Sequence, residues 1–365
     1  MAPRVLIDLR MVESRLHGIA RYALELARRL PRLGPELTFE GLGPPGGLPE
    51  LGPLEPQFPV HRCSARFLSP AEQPALALVL SRLRPALFHA TSFSVPALWP
   101  GRLVATLHDA THLVRADEFG AMTGLYYQWV VRPRLTRAQG LLTVSRFSRD
   151  ELSAQLRIAP ERWAVVPPGV DERFRPLSEA GKRRALMARL SLPPRFFLAV
   201  GNPKPYKNLE LLAQIAGSLP LPLVLLAGPG LRTRFPEPTR VLDSVDEALL
   251  PALYGAAEAL LIPSRHEGFG LPALEAMACG TPVLAARAGA LPEVIGAAGQ
   301  LLDPDDAEAW LLASRRLVAE TPWREGWVEA GLRRAGDFSW ERCARATLDL
   351  YRRALATEPA TQRAG

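Results

Sequence analysis

Lysine is nearly missing from this 365-residue chain: three residues stand against 41 arginines. A compact ammonium is therefore rare here, and two of the three, Lys204 and Lys207, fall within four positions of each other. Cysteine is equally scarce, and Cys63, Cys279 and Cys343 are odd in number and widely spaced. That excludes a disulfide framework and cysteine-based metal spacing, and it fits a reducing cytoplasm. No run of eighteen or more apolar residues occurs, so no membrane-spanning helix is expected. The segment from Met1 to Arg10 is a short apolar run broken by Arg4, Asp8 and Arg10. It lacks the long apolar region and small-residue cleavage site of a secretory signal, so the expected location is cytoplasmic. A Gly-x-Ser-x-Gly elbow is absent, and no serine triad is evident. The basic residues are scattered without interleaved aromatics, which argues against a nucleic-acid partner.

What is present is ordinary globular material: 48% hydrophobic and 22% charged residues. The length exceeds one ordinary core and suits two. The net charge of +7 is unevenly placed. Up to residue 175 there are 22 arginines against 16 acidic residues, whereas the remainder carries 22 basic and 21 acidic residues. A basic first half suits peripheral contact with an anionic membrane face or a lipid diphosphate. An Arg-rich, solvated surface explains the same surplus.

Apolar runs alternate with helical patterns along the first half. Arg4–Leu9, Leu37–Leu42, Leu87–Ala90, Leu103–Leu107, Gly140–Val144 and Trp163–Val166 read as strands. Between them, Ile19, Tyr22, Ala23, Leu26, Ala27 and Leu30 share one helical face, and further helices are expected near Ala75–Arg82, Tyr126–Arg137 and Ser148–Leu156. The Pro- and Gly-rich stretch Gly41–Pro59 reads as an irregular loop. After Pro167-Pro168-Gly169 the rhythm restarts, with strands at Phe196–Val200, Leu223–Ala227, Arg240–Leu242, Ala259–Ile262, Pro282–Ala285 and Gln300–Leu302. Helices near Leu209–Gly217, Val245–Ala256, Pro272–Cys279 and Ala307–Ala319 separate these. The pattern predicts an α/β protein of two doubly wound parallel-sheet domains facing each other across a cleft. The expected domains are 1–172, joined by a C-terminal helix at about 341–365, and 173–340.

The most informative stretch runs from Pro263 to Val283, PSRHEGFGLPALEAMACGTPV. A strand ends at Pro263, a glycine-rich turn follows, Pro272 suits the first turn of a helix and Gly280 suits its end. Such a turn offers backbone N–H groups at a helix N-terminus, an anion site. Glu267 and Glu275 flank it, and carboxylates are good acceptors for sugar and ribose hydroxyls. For Glu275 alone, complementing the helix dipole would be sufficient explanation. The whole set, Glu267, Gly268, Phe269, Gly270, Leu271 and Glu275, suits a nucleotide-sugar. Asp303-Pro304-Asp305-Asp306 contains a formal Asp-x-Asp, but it precedes an Ala- and Leu-rich helix and reads as an N-cap with acidic first-turn residues. No metal and no cofactor are expected.

The spacing of Glu267 and Glu275, with seven residues between, together with EGFGLPALEAMACGTPV, resembles the donor site of the retaining family-4 glycosyltransferases of the GT-B fold. His17-Gly18-Ile19-Ala20-Arg21-Tyr22, Leu107-His108-Asp109, Thr143-Val144-Ser145-Arg146-Phe147-Ser148, Val166-Pro167-Pro168-Gly169-Val170-Asp171, Lys207-Asn208-Leu209 and Phe338-Ser339-Trp340 extend the resemblance in order along nearly the whole chain.

The resemblance implies roles. Lys207 would contact the donor diphosphate and neutralise the leaving group, where a fixed cation lowers the barrier. Relatives often carry an arginine just after the glycine matching Gly201 or just before the lysine; here Asn202 and Tyr206 stand there, and Lys204 is the candidate second cation. Gly18 would let backbone approach donor phosphate or acceptor. His108 would point at the transferred sugar, with Asp109 placed to orient the imidazole or meet acceptor. Arg146 is a candidate contact to phosphate or sugar, Ser145 a helix cap, and His17 a candidate beside the site. The final helix would cross back onto the first domain. The expected reaction is retaining transfer of a hexose from a GDP- or UDP-sugar, with a leaning to GDP-mannose, onto a glycan, lipid-linked or small-molecule acceptor. A nucleotide-sugar epimerase of the same architecture and a catalytically weak donor-binding subunit are the alternatives.

Overall fold

The computed structural model describes residues 2–12, 18–48, 58–67, 69–115, 121–177 and 180–356. The chain divides into two compact units, Met1–Gly169 with Trp340–Gly365, and Val170–Ser339. Each is a parallel sheet with helical crossovers, as the alternation of buried strand runs and amphipathic helices requires.

Among the described residues the first unit has seven strands: β1 (Arg4–Asp8), β2 (Thr38–Gly43), β3 (Val60–Arg62), β4 (Leu87–Ala90), β5 (Leu103–Thr106), β6 (Gly140–Thr143) and β7 (Trp163–Val165). Their order is β3-β2-β1-β4-β5-β6-β7. β4, β5 and β6 are buried throughout, which is why they read as continuous apolar runs and not as alternation. The helix Gly18–Leu33 lays Ala20, Tyr22, Ala23, Leu26, Ala27 and Leu30 into the core. The helix Trp340–Ala356 joins the same core through Trp340, Leu348 and Tyr351.

The second unit holds six described strands: β8 (Phe197–Val200), β9 (Leu223–Leu226), β10 (Arg240–Leu242), β11 (Ala259–Ile262), β12 (Val283–Ala286) and β13 (Gln300–Leu302). The order β10-β9-β8-β11-β12-β13 reverses direction between β8 and β11. Ligands of open parallel sheets bind beyond the strand ends at such a reversal.

The structure corrects several sequence expectations. Gly41–Gly43 belongs to β2, so the expected loop at Gly41–Pro59 starts later, and residues 49–57 lie outside the described residues. β3 was not expected; it has three residues, none of them buried, and gives no apolar run. The helices Ala180–Leu190 and Thr321–Gly336 were also missed. The first is Arg-rich, and the second carries Gly326 and Gly331 inside it and buries only Gly331 and Ala335, so neither shows a clean apolar stripe. No helix among the described residues is long and apolar enough to cross a membrane.

Candidate active site

The reversal point of the second sheet brings two expected residues together. β8 leads to a single 3-10 turn, Pro205–Lys207, and β11 leads to the loop carrying Glu267. The Lys207 ammonium donates to Glu267 Oε1 at 2.7 Å, with both side chains largely covered (14% and 12% exposed). Lys207 also lies 5.6 Å from the centre of the Tyr206 ring. This is a partly desolvated charge pair at the sheet's reversal point. Its attraction is worth more there than at a solvated surface, and its orientation is fixed before any ligand arrives.

Asn208 holds the two loops in register. Its backbone is left-handed at φ 54°, and its buried side-chain amide donates to the carbonyls of Pro263 (3.1 Å) and Pro304 (2.8 Å). Arg265 in turn donates to Asn208 Oδ1 and to Asp305, and its backbone N–H reaches the Tyr206 carbonyl at 2.8 Å. Three strand-end loops are thus tied through one amide. Sequence reading passed over Asn208 and Arg265. The available signal was an asparagine directly before a helix, a residue type that tolerates the left-handed region.

The Glu267 loop runs into the helix Leu271–Ala278 through Gly270, whose φ of 99° only glycine adopts comfortably. Gly268, Phe269 and Gly270 are buried, and Phe269 packs edge-on against Phe338 at 5.6 Å. No side chain caps this helix. Glu275 sits on its inner face, 7% exposed, and Oε2 accepts from the Tyr254 hydroxyl at 2.9 Å. Complementing the helix dipole therefore does not explain Glu275: it lies past the first turn and is held by a specific partner. Tyr254 gave no signal in the sequence.

Asn202 and Lys204 are exposed, and Asn202 Oδ1 accepts from the Lys204 N–H at 3.2 Å. The aspartates of the Asp-x-Asp run are engaged otherwise: Asp303 accepts from Asp305 N at 2.9 Å, Asp306 caps the following helix at Ala309 N at 3.0 Å, and Asp305 pairs with Arg265. Among the described residues no cluster of histidine, cysteine, aspartate and glutamate is arranged to hold a metal ion.

In the first unit His108 follows β5. Its Nε2 meets the Thr91 carbonyl at 3.0 Å, and a carbonyl only accepts, so Nε2 carries a hydrogen. Asp109 Oδ1 accepts from the Thr111 N–H at 2.9 Å. The edge-on ring against His108 is Tyr22, at 4.9 Å. Gly18 opens its helix as an exposed residue. Arg146 is exposed at the first position of the helix Arg146–Leu156, which Ser145 caps by accepting from Ser148 N at 3.0 Å. His17 lies outside the described residues. Behind β1, Arg10 forms a wholly buried cluster with Asp8 (2.7 Å), Glu72 (2.6 Å) and Ser94. Burial alone would lower the Arg10 guanidinium; the two carboxylates outweigh it and hold its pKa above the ordinary value.

The two parallel-sheet α/β units, with seven and six described strands, have the GT-B fold, which their structural neighbours share. The sucrose-phosphate synthase of Thermosynechococcus elongatus superposes with a TM-score of 0.80 at 21% identity, over 98% of this chain and all of that one (100%). A profile described as Glycosyltransferase Family 4 matches residues 16–174, and one described as Glycosyl transferases group 1 matches residues 194–320. The O-antigen chain mannosyltransferase B of Escherichia coli is 30% identical over 384 aligned positions, 96% of this chain and 99% of that protein. The D-inositol 3-phosphate glycosyltransferase of Salinispora arenicola is 32% identical over 253 positions, 61% of this chain and 56% of its own length. The chain belongs to glycosyltransferase family 4, and it is a glycosyltransferase.

Proposed function

We propose that the protein transfers a hexose with retention of configuration from a nucleoside-diphosphate sugar, without a metal ion, to a glycan or lipid-linked acceptor. The observation that carries this reading is the Lys207–Glu267 pair beside the uncapped N-terminus of Leu271–Ala278. Diphosphate entering there meets an ammonium and backbone N–H groups, while Glu267 is released to accept from a sugar hydroxyl. As the glycosidic bond breaks, negative charge grows on the phosphate oxygen. Lys207 and the helix end stabilise it without reorganising. The acceptor hydroxyl attacks on the face the phosphate leaves, and the departing phosphate takes its proton. His108 meets the transferred sugar, and Glu275 binds ribose.

Mannose from GDP-mannose is the proposed donor, on the strength of the Escherichia coli relative's activity as a mannosyltransferase. The basic first half suits an acceptor presented at an anionic membrane face. The test is a thermal-shift screen of nucleotide-sugars, followed by NMR of the product anomer made from GDP-mannose with methyl α-D-mannoside and a panel of further acceptors. An α-linked product from an α-linked donor is expected. An inverted product, or a sugar altered without acceptor as an epimerase would do, overturns the reading. Donor binding without turnover across the panel would mark a donor-binding subunit instead.

A further inference from the structure

Within the first unit a chain of buried polar groups runs from the C-terminal helix to the ring beside His108. The Tyr351 hydroxyl meets His89 Nδ1 at 2.5 Å; His89 Nε2 meets Thr106 Oγ1 at 2.8 Å; Thr106 Oγ1 meets the Tyr22 hydroxyl at 3.1 Å. All four side chains are at most 1% exposed. Tyr22 then sets its ring edge-on to His108 at 4.9 Å and packs on Trp340 at 6.2 Å. Four polar side chains have been moved out of water along one line, a costly arrangement unless each finds its partner.

His89 is the centre of that line, and burial holds its pKa down at about 3, with the nearby His108 adding to the effect. It is therefore neutral, with one ring nitrogen donating and the other accepting. A hydroxyl can donate or accept, so each link can form with either tautomer of the neutral ring, and the Tyr22 hydroxyl also meets Thr347. The chain is a fixed brace and not a charged site. Its far end is carried by an element 262 residues away in sequence.

We propose that Tyr22 is a positioning residue for His108, and that the Thr106–His89–Tyr351 chain is what holds Tyr22 in place. The Nε2–H of His108 donates to the Thr91 carbonyl, and the edge-on Tyr22 ring then sets the plane of the imidazole. The adjacent Asp109 accepts from the Thr111 N–H through Oδ1. The inference rests on the reading of His108 as a sugar-contacting residue.

The experiment compares Tyr22→Leu, Tyr22→Phe and Tyr351→Phe, each alone and combined with His108→Ala. Turnover is read as GDP release from GDP-mannose with methyl α-D-mannoside, and the His108 ring signal, identified by its loss in His108→Ala, is read by NMR without substrate. Tyr22→Leu should lower kcat by about 10- to 100-fold with donor KM unchanged, the scale of a misplaced reacting group. Tyr22→Phe, which loses the hydroxyl's bonds to Thr106 and Thr347, and Tyr351→Phe, which loses the bond to His89, should each cost about 2- to 5-fold. None should add a further loss in the His108→Ala background, and each should move the ring signal in the same order of size. If the losses persist undiminished without His108, or the ring signal stays at its wild-type position in all three variants, the inference is overturned. If His108→Ala alone retains full turnover, the functional reading of His108 fails, and the ring signal still decides the structural claim. Should Tyr22→Leu not fold, the two phenylalanine variants carry the same comparison.

Discussion

A Cβ placed on Gly289 would stand 2.6 Å from both the backbone nitrogen and the carbonyl oxygen of Glu267. The loop after β12 therefore presses directly on the backbone of the candidate catalytic glutamate, and Ala290 N donates to the Glu267 carbonyl at 2.9 Å. Glu267 is held from behind by main chain, which is why its carboxylate reaches Lys207 with so little exposure.

Gly289→Ala should accordingly damage the site as well as the fold. Backbone strain at φ 58° accounts for about 1–3 kcal/mol, and the clash with main chain adds to it. Gly296→Ala is the control: its φ is 59°, but nothing lies within 4 Å of the added carbon. Thermal melts should show the larger loss for Gly289→Ala, and only that variant should lose donor binding. Equal behaviour of the two would mean that the contact with Glu267 is unimportant.

Lys207→Ala should leave the melting curve near that of the wild type and lower kcat by about 10²- to 10³-fold, as loss of one transition-state charge contact does. Lys207→Arg should rescue little, because a planar guanidinium does not reproduce a compact ammonium against Glu267 Oε1. Steady-state kinetics with the active donor checks both; wild-type turnover in Lys207→Ala would remove the lysine from the reaction.

Asn208→Ala should destabilise the second unit by about 2–4 kcal/mol, since it orphans the buried carbonyl of Pro263 and the half-buried one of Pro304 and leaves a non-glycine residue in the left-handed region. Asn208→Gly relieves the backbone but not the orphaned carbonyls, so it should recover only part of the loss. Denaturant titration measures the difference. A full recovery by glycine would assign the whole effect to backbone strain.

Acid should weaken the first unit through His89. Its pKa is about 3 folded and about 6.5 when exposed, so between those values the unfolded chain binds the extra proton. Stability supplied by the neutral, braced ring is complete above pH 6.5 and falls by about 1.4 kcal/mol per unit as pH drops toward 3. His89→Gln, which cannot take a proton, should flatten that slope. An unchanged slope between pH 6 and 4 would show that other groups dominate.

Arg10→Met should cost about 3–5 kcal/mol, the penalty for leaving the carboxylates of Asp8 and Glu72 buried without their cation. Replacing all three by apolar residues of similar volume should recover much of the loss. If the triple variant is as unstable as the single one, the buried cluster stabilises the unit beyond neutralising its own charges.

Some of this site was legible without coordinates. Lys207 and Glu267 each follow a predicted strand, and strand-end loops of parallel sheets are where ligands bind, so residue type and position together marked them. Their pairing was not legible, because 60 residues separate them and only the strand order β8-β11 makes their loops neighbours. Asp109 was expected to orient the imidazole or meet acceptor, and the structure places its Oδ1 on the Thr111 N–H.

The sequence by itself determined the two parallel sheets, the near-absence of lysine that makes Lys207 conspicuous, and the glycine-rich turn before Leu271, because periodicity, composition and backbone preference are local properties. Only tertiary structure decided which groups neutralise, brace or press on one another: Tyr254 on Glu275, Gly289 on Glu267, and Tyr351 through His89 and Thr106 on Tyr22. The reason is physical. A buried polar group must find a partner within about 3 Å, and which residue supplies it depends on how strands are ordered and helices return, which no local pattern encodes.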